Sequence, residues 1–420
     1  MKKTNPAAQK ATLAKITLAG GLLAAPLVAL GLAQPQAALA QVSDNVVRIA
    51  VMNDQSSAYS DTSGRGSAVA AELAIQDAGG KVNGLPVELL VVDHQNKADI
   101  GATQAKKLID VDRVDALFDM ANSSVSLAVQ EITRQAGKVV VHVGSAHVDL
   151  YGKACSPTGA LWLYDSHALA KGLAHAIYGA QSKNWFMIVA DYAFGHAMQQ
   201  DMTKTLEALG GKVSGAVRHP LGQADFSSFL LQSAGSNTNV LALLNAGADT
   251  TNALKQAGEF GVTGKGMVVA TPIFTIVNAK AIGPQLAQGT QFLAGYYWDA
   301  DDASRAFAKR FAEKMKRPPT HTQAGVYSAV NHYLKAIAAA KTDDGPQVMR
   351  KMKELPVNDF MTKNASLRED GRLMRDMLLL QVKKPADVKG EWDLAEVRGV
   401  AKAGDTIRPL AEGGCALVKS

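Results

Sequence analysis

The sequence predicts an α/β protein with two parallel-dominated sheets in tandem, and three observations carry that expectation. Short apolar runs of strand-like composition alternate with runs of helical spacing, which is the rhythm of βαβ units. A stretch at 151–164, rich in Gly, Pro and Cys, interrupts this rhythm once, and the series then restarts. The third observation is size. About 380 residues follow a leader-like segment, too many for one ordinary core, and 47% of the chain is hydrophobic, ample for two.

In order, the first series is expected to run through a strand at 46–52, a helix at 66–78 spaced by Val69, Leu73 and Ile75, and a strand at 87–92. A helix at 103–109, a strand at 116–120, a helix at 126–136 and a strand at 139–143 complete it. The segment 151–164 reads as a crossover. The second series places strands at 185–190, 212–217, 240–245 and 267–270, with helices at 196–209, 225–234 and 250–260 between them. What remains is a strand at 292–297, helices at 304–315 and 322–340, and a late strand at 377–382. That is too little for a third core, so these elements return to complete the first two lobes and leave several hinge strands. The expected organisation is 46–163 plus 294–370 for lobe 1, and 164–293 plus 371–420 for lobe 2 and a C-terminal extension.

Residues 1–40 read as a signal peptide. Lys2, Lys3, Lys10 and Lys15 precede an uncharged run at 16–33, and Ala38-Leu39-Ala40 offers a small-x-small cleavage site before Gln41. Pro26 and the glycines of the run argue against a membrane anchor, and no cysteine near the cut supports lipid attachment. The expected location is therefore the periplasm. The leader holds four lysines and no acid, so the rest carries 40 basic against 38 acidic groups, and this balance gives no case for nucleic acid or an anionic membrane as partner. Cys155 and Cys415 form an even count in an oxidising compartment, and one disulfide is expected; two cysteines are too few for a structural zinc site.

The familiar catalytic motifs are absent: there is no Gly-x-x-x-x-Gly-Lys-Ser/Thr loop, no His-Glu-x-x-His pair and no Cys-x-x-Cys. Gly64-Arg65-Gly66 opens a helix as a dinucleotide loop would, but Val69 replaces its third glycine and no acid is suitably placed, so no cofactor is expected. Ser145 and His147 are the only candidates for a hydrolase, and they lack a third partner and the second glycine of a nucleophile elbow. His167 and His175 are eight apart, which is not an i,i+4 metal pair. The acid pairs Asp301-Asp302 and Asp343-Asp344 lie in polar connections and read as solvated surface. No enzymatic activity and no metal are expected.

Open α/β sheets bind ligands beyond the C-terminal ends of their strands. Five polar or small turns occupy those places, at 53–59, 122–124, 144–147, 191–195 and 245–249. Ser123 and Ser124 open a helix there, where hydroxyls and backbone amides can hold a carboxylate. The alternative is that these serines only cap the helix.

At this point the chain resembles the periplasmic solute-binding proteins of the branched-chain amino acid class of ABC importers. The resemblance rests on Val47-Arg48-Ile49-Ala50-Val51, the helix 70–80 with Asn83-Gly84 after it, Asp93-His94-Gln95-Asn96-Lys97, Asn122-Ser123-Ser124 with Ala128, the turn 191–195 and the helix 254–261. No one feature is specific, but their order and spacing together are. The resemblance implies the type I periplasmic binding protein fold, in which two Rossmann-like lobes joined by a multi-strand hinge close on a small molecule. It also implies a monomer that docks on a membrane permease.

By the same resemblance, Ser123 holds the ligand carboxylate, and Gly144, Ser145 and Ala146 form the turn that completes its cradle. Tyr59 lies near an aromatic of the first loop. On the second lobe, Phe194 stands where the family has a tyrosine, and Ala246 or Gly247 stands where another aromatic is common. Near Thr271 and Pro272 the family presents an acid for the ligand ammonium, and none is present here. A buried ammonium without a counter-charge costs about as much as a lost charged hydrogen bond, so a ligand without an α-amino group is expected unless Asp54, Asp191 or Asp249 substitutes. Gly295-Tyr296-Tyr297-Trp298 gathers aromatics in a chain that is only 6% aromatic, and alternation sends Tyr297 to one face and Tyr296 with Trp298 to the other. With Tyr59, Phe194, Trp162 and Tyr164 they point to an aromatic or apolar carboxylate. The branched-chain amino acid receptor and the sensing subunit are the alternatives. Cys155-Ser156-Pro157 and the ending 408–415 also resemble a branch encoded by bacteria that use aromatic compounds, which supports the disulfide.

Overall fold

The computed structural model describes residues 42–179, 181–262 and 266–419, so the expected signal peptide lies outside the described residues. The first sheet takes β1 (Val47–Asn53), β2 (Lys81–Val82), β3 (Leu85–Asp93), β4 (Ala116–Asp119), β5 (Val139–His142) and β6 (Gly159–Leu161) in the order β2-β3-β1-β4-β5-β6. All neighbours are parallel except the β2/β3 hairpin, whose Asn83-Gly84 loop has positive φ at both residues, as its tight turn requires. Central strands β1, β4 and β5 are apolar along nearly their whole length because α1 (Gly64–Asp77), α2 (Ala98–Asp110) and α3 (Ser123–Ala136) leave neither face in water.

After β6 the chain crosses to the second lobe and forms α4 (Ser166–Ile177), which sequence reading passed over. It buries Ala168, Leu169, Ala170, Leu173, Ala174 and Ile177 and exposes His175 and Ala176, and its start is marked by Asp165, which accepts the Ala168 N–H at 2.8 Å. The second lobe then alternates β7 (Asn184–Ala190), α5 (Ala193–Ala208), β8 (Lys212–His219), α6 (Ser227–Ala234), β9 (Val240–Leu244), α7 (Gly247–Glu259), β10 (Val268–Ala270), α8 (Ile276–Ile282), α9 (Pro284–Ala287) and β11 (Gln291–Ala294). The strand expected at 292–297 thus ends at Ala294, and Tyr296 to Trp298 leave the sheet.

The remaining elements divide between the lobes. After α10 (Asp302–Met315), α11 (His321–Ala340) lies on the first lobe, where the Tyr333 ring meets Phe118 edge to face at 5.4 Å and the Tyr327 hydroxyl reaches Asp77 at 2.6 Å. After α12 (Gly345–Glu354), the hairpin β12 (Ser366–Leu367) and β13 (Leu373–Met374) returns the chain to the hinge. β14 (Met377–Val382) and β15 (Ala395–Ala401) then add antiparallel strands to the second sheet, whose order is β15-β14-β11-β10-β9-β7-β8, before α13 (Ala403–Thr406).

The crossover expected at 151–164 supplies the edge strand β6, too short to show alternation, and β15 was likewise missed because its outer face is solvated. The expected disulfide Cys155–Cys415 is present. At the hinge, Arg372 and Asp165 form an ion pair at 2.8 Å with both side chains fully buried. Breaking such a pair leaves an uncompensated charge, which costs about 3–5 kcal/mol.

Candidate functional site

The C-terminal ends of β1, β4 and β5 face those of β7, β9 and β10 across a cleft, and the loops leaving these strands build its walls. In the first loop, the buried carboxylate of Asp54 accepts the Ser57 and Tyr59 N–H groups at 2.8 and 2.7 Å and the Asn96 amide at 2.7 Å. These bonds fold residues 54–59 into a compact turn that delivers Tyr59 to the cleft. The Tyr59 and Tyr192 hydroxyls meet at 2.6 Å, and the Ala248 N–H donates to the Ala58 carbonyl at 2.9 Å. Both contacts bridge the lobes, so the cleft is closed.

The opposite wall starts at α3. Asn122 caps the helix by accepting the Ser124 and Val125 N–H groups at 2.9 and 3.2 Å, which leaves the Ser123 side chain, 1% exposed, at the cavity. Its Oγ lies 3.1 Å from Ser145 Oγ. Gly144 is required at this turn, because a Cβ there would stand 3.0 Å from the Ala121 backbone and 3.1 Å from Asp119 Oδ1. Asp119 itself, with φ of 84°, ends β4 in the left-handed region; it accepts the Asn53 amide at 2.9 Å, and burial pushes its carboxyl up to about 6. From the hinge, the Tyr164 hydroxyl donates to the Gly144 carbonyl at 3.2 Å, and its ring meets His321 edge to face at 5.3 Å. Burial pushes the His321 imidazole down to about 3, so it is neutral at pH 7.

Helices α3, α5, α7 and α11 all begin at this cavity, through Ser123, Tyr192 and Phe194, Ala246, and His321 with Thr322. Helix N-termini carry partial positive charge and free N–H groups, so the site favours an anion. Among the described residues, no carboxylate lines it. The cavity is narrow, with about 20 Å³ of water-sized space.

A family model described as periplasmic binding protein matches residues 46–389. The chain belongs to that family. A crystal structure of a periplasmic binding protein from Burkholderia mallei is 40% identical, with a TM-score of 0.87 over 89% of this chain and 100% of that one. A branched chain amino acid ABC transporter periplasmic ligand-binding protein from Burkholderia xenovorans LB400 is 38% identical, with a TM-score of 0.79 over 88% of this chain and 99% of that one. An ABC transporter solute binding protein from R. palustris, in complex with benzoate, shares the fold at 18% identity, with a TM-score of 0.78 over 89% and 100% of the two chains. Comparison with curated proteins finds no match.

In this periplasmic binding protein, Tyr59, Ser123, Gly144, Ala146, Tyr164, Phe194 and Ala246 stand together in the cavity wall. Ser145 stands behind Ser123, and Gly247 lies at the lobe contact with φ of 61°. Other expected contacts stand elsewhere. Asp54 is enclosed by its own loop, the Ser124 N–H is committed to the Asn122 cap, and the buried Thr271 hydroxyl donates to the Gln291 carbonyl at 3.3 Å. Pro272 is buried outside the wall, and the Tyr297 hydroxyl donates to the Ala395 carbonyl at 2.8 Å inside the second lobe. Ile273 and Thr275 take the place expected for Thr271 and Pro272. His147 caps a short turn by accepting the Asp149 N–H at Nδ1, while the Ser145 hydroxyl meets that of Ser123.

Sequence reading missed Thr62, Ala121, Tyr192, Ile273, Thr275, His321 and Thr322. Tyr192 lay inside a turn already singled out, two residues before Phe194, and it supplies the hydroxyl that Phe194 lacks. His321 and Thr322 follow a Thr320-x-x-Gln323 capping box, a helix start legible in the sequence. Nothing local showed that this start returns to the cleft.

Proposed function

We propose that this periplasmic binding protein is the substrate-binding component of an ABC importer, located in the periplasm, and that it captures a small aromatic or apolar carboxylate. One observation carries the ligand reading: the cleft wall joins helix N-termini and hydroxyls to aromatic rings, and among its described residues it holds no carboxylate. An anionic head is stabilised at Ser123 and the 144–146 turn, and an apolar body fits Tyr59, Phe194, Ala246 and Ile273. An α-ammonium in the same place would be buried without a counter-charge. The importer role is supported by the Burkholderia xenovorans relative, described as an ABC transporter ligand-binding protein, and the ligand class by the benzoate complex of the R. palustris protein.

A thermal-shift screen with carboxylates lacking an amino group and with free amino acids tests this. A ligand at 100 times its dissociation constant adds about 2.7 kcal/mol, an easily read shift. Stabilisation by the first panel alone is expected, and stabilisation by amino acids alone overturns the ligand reading. Asp249 favours the second reading, an amino acid receptor. It is fully buried in the first turn of α7, its Oδ1 has no partner among the described residues, and burial pushes it up to about 6. If leucine binds, Asp249→Asn will abolish that binding.

A further inference from the structure

We propose that His321 recognises a hydroxyl on the ligand, so that the cleft selects hydroxylated aromatic carboxylates over their unsubstituted parents. The inference rests on the carboxylate reading above.

His321 opens α11 and is 3% exposed. Its Nε2 is buried and has no hydrogen-bond partner among the described residues. Three polar side chains near it, those of Tyr164, Thr320 and Gln323, are already paired inside the protein. The Tyr164 hydroxyl donates to Gly144, the Thr320 hydroxyl donates to the Thr62 carbonyl at 2.6 Å, and the Gln323 amide donates to the Ser63 carbonyl at 3.0 Å while its oxygen accepts the Thr320 N–H at 3.0 Å. A buried imidazole nitrogen left alone is costly, and the His321 side chain belongs to the wall of the ligand cavity.

Its position is also distinctive. His321 and Thr275 line both the main cavity and a second, smaller one walled by Phe274, Phe292, Tyr296 and Trp298. The imidazole therefore stands at the seam between the anion-binding end and an aromatic chamber, where a ring substituent would meet it. Burial, reinforced by the positive charge of Arg375, keeps it neutral. A neutral imidazole nitrogen either donates or accepts according to tautomer, and a hydroxyl can answer either one. A carboxylate could only accept from it, and an ammonium could only donate to it.

Calorimetric titration of the purified protein with benzoate, 3-hydroxybenzoate and 4-hydroxybenzoate, in wild type, His321→Phe and His321→Gln, tests the proposal. At least one hydroxybenzoate is expected to bind about tenfold more tightly than benzoate. In His321→Phe that ratio is expected to fall to about one, whatever the absolute affinity for benzoate, and His321→Gln is expected to recover part of it. Equal wild-type affinities for the three acids overturn the proposal, as does a hydroxyl preference that survives in a folded His321→Phe protein. Should that variant fail to fold, His321→Leu replaces it. If none of the three acids binds while leucine does, the carboxylate reading itself falls, and this inference with it.

Discussion

The hydroxyl of Ser123 is the smallest unit on which the binding account depends. Asn122 fixes the first turn of α3 by accepting the Ser124 and Val125 N–H groups, and Ser145 Oγ lies 3.1 Å from the Ser123 hydroxyl. Ser123→Ala should weaken binding of benzoate by roughly 1–3 kcal/mol, read by calorimetry, with the melting temperature little changed. Gly247 makes a different prediction. A Cβ at this residue would stand 2.2 Å from the Ala58 carbonyl of the facing lobe, and its φ of 61° already disfavours a side chain. Gly247→Ala should therefore hold the lobes apart, weaken every ligand together and enlarge the radius of gyration in solution scattering. Small and polar residues at strand ends made Ser123 and the 144–146 turn legible in the sequence, because strand ends show as breaks in an apolar run. Tyr297 misled for the complementary reason: an aromatic beside a hinge strand has two faces to choose from, and only packing decided that its hydroxyl goes to Ala395.

At the level of elements, the alternating series were readable to within a few residues because most central strands, such as β4, β5 and β9, are apolar runs between polar turns. α4 and β15 escaped for different reasons, the first because its alanines mark neither a buried nor a solvated face, the second because it is a solvated edge. The C-terminal segment could be placed only through its cysteine. After α13, the Arg368 guanidinium donates to the Arg408 carbonyl at 3.0 Å, and Cys415 then bonds to Cys155 beside the first sheet, 260 residues earlier in the chain. A link closing so long a loop removes much chain entropy from the unfolded state, on the order of 3–5 kcal/mol. Denaturant unfolding with and without reductant should show a loss of that size, and Cys155→Ser should reproduce it. An unchanged midpoint would mean that the segment is held by its packing alone.

For the whole molecule, stability should depend on pH through groups locked in the two lobes. Burial holds His142 and His321 near 3 and His94 near 4, far below the value of about 6.5 in an unfolded chain. Their contribution is complete above that value and is lost as the pH falls towards the folded values. Asp119 and Asp249, pushed up to about 6, act the other way and stabilise as they gain protons. Between pH 7 and 5 each imidazole costs about 2 kcal/mol and each carboxyl returns about 1.4 kcal/mol, so three outweigh two and the melting temperature should fall. A rise over that range would contradict these assignments. The proposed function requires the closed cleft to take a carboxylate, since no acid in its wall offers a counter-charge to an ammonium. Calorimetric titration with 3-phenylpropanoate and with phenylalanine, which differ only by the α-ammonium, tests it most directly. The amino-free acid is expected to bind more tightly by about a hundredfold. Tighter binding of phenylalanine would contradict it and assign the ammonium to a buried acid such as Asp249.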